Sequence, residues 1–193
     1  NSTIGNTAFI WGIQNEASAT YATSYIPTIA AASTRGQGFL RKTSISSVIN
    51  SPEGTMFLDV AALADDGTNR YFSINDGTVN NYIYFRYVST SNQMLMRVVV
   101  AGVTINSLAY VSPDTTDFSK IALKWKGGDY AFWVNGVERG TDTTATTFGA
   151  GVLLEIVADF PTGLGGAFPS KINQLLIFPT ALPDASLAEL TTI

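Results

Sequence analysis

The stretch from Lys120 to Gly140, KIALKWKGGDYAFWVNGVERG, decides the fold of this chain. Both halves are rich in aromatic and aliphatic side chains, and each half ends in a tight-turn signal. Gly127–Gly128 suits a two-residue hairpin turn, and Asn135–Gly136 favours a type I′ turn, whose two central residues need positive φ. The stretch therefore predicts consecutive antiparallel strands.

The first turn fixes which residues face each other across the hairpin. Lys126 lies opposite Asp129, Trp125 lies opposite Tyr130, and each further pair steps outward. Successive side chains of a strand point to opposite faces, so the residues separate into two sets. The apolar set, expected in the core, is Ile121, Leu123, Trp125, Tyr130, Phe132 and Val134. The other set is Lys120, Ala122, Lys124, Lys126, Asp129, Ala131 and Trp133, which leaves a tryptophan on a face that we interpret as solvated.

Outward from this hairpin, period-two alternation broken by turn residues continues along the chain. The pattern predicts strands at 8–14, 55–64, 69–75, 81–88, 93–101, 103–110, 119–126, 129–135, 137–140, 152–158 and 171–178, and a short helix from Pro183 to Leu190. Strands at this spacing are typical of a sandwich or a barrel. We therefore predict an all-β fold, a two-sheet antiparallel β-sandwich with a short C-terminal helix.

The segment from Tyr21 to Gly38 is small and polar, with Pro27 and two glycines. It indicates a junction, and we place a domain boundary near Arg35. Residues 1–35 are then an N-terminal strand and linker that end a preceding module, and residues 36–193 are the β-sandwich domain. Because the chain begins at Asn1 and not at a methionine, we interpret it as a fragment of a longer polypeptide.

The composition argues against several classes of protein. Cysteine and histidine are both absent, which removes disulfides, thiolate metal sites and the commonest general base. Eleven basic residues spread through a chain of net charge −4 do not form a nucleic-acid footprint. The sequence also lacks the long apolar run of a membrane helix. We therefore expect no nucleic-acid partner and no insertion into a membrane.

A second pair of strands sorts into two faces in the same way. Ile83, Phe85, Tyr87, Met94, Met96, Val98 and Val100 fit the core. If these strands share a sheet with the hairpin, one open face carries Tyr82, Tyr84, Arg86, Gln93, Arg97, Lys124 and Trp133. Aromatic rings stack on sugars, and basic side chains donate hydrogen bonds to hydroxyls and carboxylates. We therefore predict ligand binding by Trp133, Lys124, Tyr82, Tyr84, Arg86 and Arg97, with packing of Trp133 under a loop or at a subunit interface as the alternative.

Catalytic and metal-binding patterns are weaker. Glu155 and Asp159 are close in sequence but form no paired-carboxylate motif, so we interpret them as surface charges. Serine and threonine have no histidine to activate them, and we expect that the domain is not an enzyme.

Calcium is the one metal that the composition leaves open, with Asp65, Asp66 and Asn69 as candidate ligands in a turn. These residue types are also ordinary turn formers, which is the alternative. No other cofactor is expected.

The hairpin region DFSKIALKWKGGDYAFWVNGVERG (117–140) resembles a signature hairpin of concanavalin A-like and laminin G-like jelly rolls. The end of the chain, KINQLLIFPTALPDASLAEL (171–190), is similar to the closing strand and short helix of that family. The resemblance implies a jelly-roll topology for the predicted sandwich. It also implies a loop at which many laminin G-like domains bind calcium.

The N-terminal stretch IWGIQNEASATYATSYIPT (10–28), followed by STR (33–35), is similar to a segment of bacteriophage tail-fibre and other virion proteins. The resemblance implies a non-catalytic carbohydrate-binding or receptor-binding module of a virion, in contact with bacterial surface glycans. Other virion protein domains are then partners, a homotrimer is the common assembly, and the location is the virion or the extracellular space. Two alternatives stay open: a structural spacer or decoration module without glycan binding, and an accessory carbohydrate-binding domain of a secreted bacterial enzyme.

Overall fold

The computed structural model describes residues 40–162 and 168–193, which form eleven strands and one helix. The elements are β1 (Arg41–Thr43), β2 (Glu53–Ala62), β3 (Arg70–Asn75), β4 (Tyr82–Tyr87), β5 (Gln93–Val100), β6 (Val103–Val111), β7 (Ser119–Lys126), β8 (Tyr130–Val134), β9 (Val137–Asp142), β10 (Glu155–Val157), β11 (Ser170–Phe178) and α1 (Asp184–Thr191). The predicted strands and helix within these ranges are all present, with ends that differ by a few residues. The sequence did not predict β1, because three residues are too short to display alternation.

The strands form two antiparallel sheets that enclose one apolar core. Sheet A has the order β1-β10-β3-β4-β5-β6, and sheet B has the order β11-β2-β7-β8-β9. Two sheets packed face to face, with alternate side chains between them, form a β-sandwich. The predicted all-β jelly-roll architecture with a short C-terminal helix is therefore confirmed.

The central hairpin has the predicted register. Ile121 faces Val134, Ala122 faces Trp133 and Leu123 faces Phe132. At the second turn, Asn135 and Gly136 have φ angles of 52° and 75°. Positive φ at both positions is the type I′ geometry, whose twist matches that of the flanking strands.

The inner faces of the sheets are those that the alternation predicted. The hairpin side chains assigned to the core, together with those of β4 and β5, belong to one buried cluster. Trp125 and Tyr130 are among the largest fully buried side chains. The indole N–H of Trp125 donates to the carbonyl of Ser51 at 3.0 Å. Burying an aromatic side chain of this kind stabilises the fold by about 1.5–3 kcal/mol, provided that its polar atom has a partner.

The helix α1 covers the outer face of sheet B. Leu187 is fully buried there and packs with Ala122, Ala131 and Trp133. Polar contacts hold both ends of the helix, since Asp184 accepts a hydrogen bond from Lys124 and the hydroxyl of Thr191 accepts one from the backbone of Gly136. An isolated helix of eight residues is not stable in water, so docking on the sheet is what maintains it.

The two strand pairs that carry the seven predicted open-face residues do not belong to the same sheet. The strands β4 and β5 belong to sheet A, whereas β7 and β8 belong to sheet B. Outward side chains of the two pairs therefore lie on opposite surfaces of the sandwich. The prediction that one face collects all seven residues is wrong, because alternation specifies the face of a strand but not its neighbours.

Some sequence predictions fall outside the described residues. They are the strand at 8–14, the boundary near Arg35 and the virion-like segment 10–28 with 33–35. Within the described ranges, no helix is long and apolar enough to cross a bilayer.

Candidate functional site

The candidate site lies on the outer face of sheet A. In β4, Ile83, Phe85 and Tyr87 point into the core, so the side chains that alternate with them point outward. Directly paired residues of neighbouring strands share a face. The register therefore places Tyr71, Arg86 and Leu95 in one row, and Ser73, Tyr84, Arg97 and Ser107 in the next.

Aromatic rings form the base of this face. The rings of Tyr82 and Tyr84 are stacked, with centroids 5.3 Å apart and planes at 6°. Tyr71 meets Tyr84 edge-on at 5.3 Å, and Phe160, which follows β10, meets Tyr71 at 5.2 Å and Tyr82 at 5.8 Å. We call Tyr71, Tyr82, Tyr84 and Phe160 the tyrosine cluster. Its packing leaves Tyr82 and Tyr84 buried, with exposures of 7% and 1%, so these rings support the surface but form little of it.

Two arginines lie over the tyrosine cluster, and we call Arg86 and Arg97 the arginine pair. Their guanidinium carbons are 5.8 Å and 5.9 Å from the centre of the Tyr84 ring. An Nη atom of Arg86 donates to the Tyr71 hydroxyl at 3.1 Å, and one of Arg97 donates to Ser107 at 3.4 Å. Both side chains are half-buried, which fixes their orientation while leaving part of each guanidinium accessible.

The positive charge of the arginine pair is uncompensated in the described part of the chain. Neither arginine forms an ion pair there, and the Nε atom of each is buried without an acceptor. The outward residues of the flanking strands are also uncharged: Tyr71, Ser73 and Asn75 on β3, and Ser107 and Ala109 on β6. Two guanidinium groups on one face therefore retain hydrogen-bonding capacity for an anion.

Burial raises the pKa values of two supporting tyrosines. Desolvation raises the pKa of Tyr84 to about 12, although the nearby arginine charges act in the opposite direction. Desolvation likewise raises the pKa of Tyr82. The guanidinium groups of the arginine pair therefore lie over buried, uncharged rings of Tyr82 and Tyr84.

The region of sheet A around β10 corrects one sequence interpretation. Glu155 and Asp159 are not surface charges, because their exposures are only 3% and 5%. One oxygen of Glu155 accepts hydrogen bonds from Nε and Nη2 of Arg41 at 2.8 Å and 2.6 Å, and Asp159 accepts from the backbone of Phe160 at 2.6 Å. Strand β3 lies between Glu155 and the arginine pair, so this carboxylate and its arginine partner form a separate contact.

Trp133 lies on the outer face of sheet B, as predicted, but it is not exposed to solvent. Its exposure is 8%, because Leu182, Leu187 and Ala188 cover it. The alternative predicted packing under a loop or at a subunit interface; the structure shows packing within the domain, under α1 and the preceding residue Leu182. Sequence periodicity cannot reveal this cover, since α1 follows Trp133 by about fifty residues.

Lys124 is also enclosed. Its side chain is 3% exposed, and its Nζ atom lies 2.6 Å from carboxylate oxygens of both Asp129 and Asp184. Burial acts to lower the pKa of Lys124, but hydrogen bonds to the two carboxylates outweigh this effect and raise it. Two carboxylates compensate the charge of Lys124, and its ion pairs link the hairpin to α1.

Of the six predicted ligand-binding residues, the structure brings together Tyr82, Tyr84, Arg86 and Arg97. It separates Lys124 and Trp133 from them.

The candidate calcium ligands lie in turns where protein groups use their oxygens. Asp66 accepts from Nη2 of Arg70 with both carboxylate oxygens at 2.7 Å, and its pKa is lowered mainly by this hydrogen bond. Asp65 accepts from the backbone N–H of Asn92 at 3.1 Å, and Asn69 accepts from that of Ser89 at 2.9 Å. In the described ranges no three acidic side chains converge on a metal-sized site. These contacts favour the turn-forming interpretation.

Sequence reasoning missed three residues of the site, Tyr71, Ser107 and Phe160. Tyr71 joins the site through the β3–β4 register, which places it opposite Arg86. Ser107 follows from the β5–β6 register, which a longer extension of the pairing argument would have given. Phe160 had no local signal, because it lies in a loop and contacts the tyrosine cluster only through the tertiary fold.

Solved structures with the same fold include carbohydrate-binding proteins. A CBM40 module of the Ruminococcus gnavus intramolecular trans-sialidase, bound to α2,3-sialyllactose, superposes with a TM-score of 0.61 at 15% identity, covering 79% of this chain and 98% of that chain. A leech intramolecular trans-sialidase gives 0.61 at 16%, covering 80% of this chain but 28% of that one. A pentraxin from Limulus polyphemus gives 0.57 at 15%, covering 78% and 73%. No protein-family model and no curated protein matches the sequence. At these identities the likeness establishes the jelly-roll fold.

Proposed function

We propose that this domain is a non-catalytic glycan-binding module that binds an acidic sugar at the arginine pair. One observation carries the proposal. Arg86 and Arg97 share the ring of Tyr84, lie on one face of sheet A and have no carboxylate partner in the described part of a chain whose net charge is −4.

The chemistry of the pair suits a carboxylate. A guanidinium group donates two parallel hydrogen bonds to a carboxylate, and such charge-assisted bonds are stronger than neutral ones. Arg86 and Arg97 are diagonal neighbours on adjacent strands, roughly 7–8 Å apart at the backbone, so their side chains can converge on one anion. Ser107, exposed beside Arg97, adds a hydroxyl that can bond to a neighbouring sugar hydroxyl.

The comparison supports the proposal by analogy of fold. The R. gnavus module is described as bound to α2,3-sialyllactose, a glycan that ends in an acidic sugar. Fold likeness alone does not assign a ligand. The absence of histidine and cysteine supports the non-catalytic part of the proposal, since the commonest activators of a nucleophile are missing.

The test is a calorimetric titration of the domain with 3′-sialyllactose and with lactose. We expect binding to the first sugar only, because lactose lacks the carboxylate. Arg97→Gln should weaken binding about 10-fold or more, since a hydrogen bond to a charged group contributes about 1.5–3 kcal/mol. Lys171→Gln is the matched control, because it removes a positive charge from an exposed position on sheet B. Equal binding of both sugars, or unchanged affinity in Arg97→Gln, would contradict the proposal.

We further propose that the module belongs to a phage tail fibre or another virion protein and acts on the particle surface. The support is the N-terminal resemblance, which lies outside the described residues. In a homotrimer, three weak sites would act together and raise the apparent affinity for a glycan-coated cell. Antibodies raised against the domain should label phage particles, and a monomer under analytical ultracentrifugation of the full chain would argue against trimer formation by this polypeptide.

The accessory-domain and spacer alternatives make different predictions. A module of a secreted enzyme would be found in culture supernatant and not on particles. A spacer would fail to bind any surface glycan in an array, with wild-type and Arg97→Gln proteins giving the same blank result.

A further inference from the structure

The outer face of sheet A differs on the two flanks of the arginine pair. On one flank, the hydroxyl of Ser107 is exposed beside Arg97, its partner in the β5–β6 register. On the other flank, around and beyond Arg86, apolar side chains occupy outward positions of three adjacent strands. We call these residues the apolar corner: Val88, Leu95, Ala109 and Val111. The site is therefore polar on one side and apolar on the other.

The strand registers place the apolar corner against the arginines. Arg86 lies directly opposite Leu95, and Leu95 lies directly opposite Ala109. Directly opposite residues share a face of the sheet, with Cβ atoms roughly 4.5–5.5 Å apart. Ala109 is also the diagonal neighbour of Arg97, whose direct partner is Ser107, at roughly 7–8 Å. Both arginines consequently have an apolar neighbour on the same surface.

The apolar corner continues into the next row of the face. Val88 follows Arg86 by two residues, and its backbone N–H donates to the carbonyl of Gln93 at 2.8 Å. Gln93 pairs in turn with Val111, which follows Ala109 by two residues. Side chains two residues apart on a strand point to the same face. This row therefore presents two valines with one amide side chain between them.

Burial shows which part of the apolar corner a ligand can contact. Leu95 is 7% exposed and belongs to the same buried cluster as the tyrosines, and Val88 packs against that cluster. These two side chains form a packed base. Ala109 is exposed, and Val111 is 61% exposed. Single apolar residues on a surface are ordinary, but here they adjoin one another and two uncompensated guanidinium groups.

The chemistry of this flank suits an acylamino substituent. A methyl group that covers Ala109 and Val111 removes apolar surface from water, which is favourable. The side chain of Gln93 both donates and accepts hydrogen bonds, as an amide substituent does. A hydroxyl substituent in the same place would instead lie against apolar side chains and lose hydrogen bonds to water.

From this arrangement we infer that the site selects an acidic sugar that carries an acylamino group. The carboxylate binds the arginine pair, the acyl methyl group lies on the apolar corner, and Ser107 contacts a sugar hydroxyl on the opposite flank. The inference rests on the proposed function and deepens it, since it names the substituent that distinguishes the ligand from other acidic sugars.

The experiment is a calorimetric titration of the full chain with two methyl glycosides. One is that of N-acetylneuraminic acid, and the other is that of its deaminated analogue, in which a hydroxyl replaces the acetamido group. For the wild type we expect about 4-fold tighter binding of the acetamido sugar, the ratio that burial of one methyl group gives. Saturation-transfer NMR of the same mixture should show the strongest transfer to the acetamido methyl protons.

Variants locate the preference on the protein. Val111→Ser should bring the ratio of the two affinities below about 2-fold and leave the affinity for the deaminated sugar within about 2-fold of wild type. The double variant Ala109→Ser/Val111→Ser should abolish the preference. Val103→Ser is the matched control and should keep the wild-type ratio, because Val103 is 62% exposed at the other end of β6. Thermal unfolding of each variant shows whether it is folded.

The possible failures are distinguishable. If the wild type binds both sugars equally, or if Val111→Ser and Val103→Ser change the ratio to the same extent, the role of the apolar corner is wrong while the arginine pair stands. Saturation transfer spread evenly over the sugar protons would likewise overturn it. If neither sugar binds the folded wild-type protein, the acidic-sugar function itself fails.

Discussion

Removing the indole of Trp133 distinguishes a solvent-exposed ring, which the sequence predicted, from a buried ring, which the structure shows. An exposed tryptophan would contribute to ligand binding and little to stability. The structure instead places the ring beneath α1, with 8% of the residue exposed, in contact with Leu187 and Ala188. Trp133→Ala should therefore reduce the free energy of unfolding and leave the affinity for acidic sugars unchanged, because the arginine pair lies on the opposite sheet.

The magnitude follows from the burial. Truncation of a buried tryptophan to alanine costs about 3–5 kcal/mol, from lost transfer free energy and the cavity that remains. For a domain of this size each kcal/mol corresponds to about 2–4 °C, which gives a lower melting temperature by roughly 6–20 °C. Trp133→Phe should cost less, because it keeps a ring under the helix and removes an indole N–H that has no acceptor among the described residues.

The assay is thermal unfolding followed by circular dichroism, with Val111→Ala as the control. Val111 is 61% exposed, so its truncation should change stability by less than about 0.5 kcal/mol. A Trp133→Ala protein that melts at the wild-type temperature would refute the burial of the ring. If that same variant also lost glycan binding, the solvated interpretation of Trp133 would be restored.

Two further perturbations test the core and the tyrosine cluster. Gly54→Ala should destabilise the fold by about 1–3 kcal/mol in urea denaturation, because its Cβ would lie 2.3 Å from the Trp125 ring and 2.9 Å from the carbonyl of Phe178. Gly149→Ala is the control and should be nearly neutral, because its Cβ would have no contact closer than 3.6 Å. Equal stabilities of the two variants would contradict the close packing at Gly54. The raised pKa of Tyr84, about 12, predicts that the contribution of this group to the free energy of unfolding is constant up to about pH 10 and is lost from there to about pH 12, because the unfolded chain releases the phenolic proton first. Denaturant unfolding of the wild type and of Tyr84→Phe between about pH 9 and pH 12 measures this contribution, and an identical loss of stability in the two proteins would contradict the burial of the Tyr84 hydroxyl.

Much of the local structure was predictable because short-range rules specify it. The Gly127–Gly128 and Asn135–Gly136 turns determined the register of β7 and β8, and alternation then assigned every hairpin side chain to the correct face. The same reasoning placed Tyr84 and Arg86 on one outer face. The grouping of the arginine pair with the tyrosines was therefore predictable from the sequence.

The candidate site was only partly predictable. Lys124 and Trp133 lie on an outer face, as alternation required, but an outward side chain is exposed only if no other segment covers it. Asp184 and Leu187, which enclose them, are far along the chain. The contact of Arg139 with Tyr110 was likewise not predictable, because it depends on a bulge and on the meeting of the two sheet edges.

The sequence by itself determined the all-β class, the hairpin register and the direction of each side chain relative to its strand, since these depend on turns of two residues and on a period of two. The tertiary structure alone decided which strands share a sheet and which outer surface is covered. Those outcomes depend on pairing between segments distant in sequence, such as β2 with β11 and β3 with β10, and on the docking of α1, which no local pattern encodes.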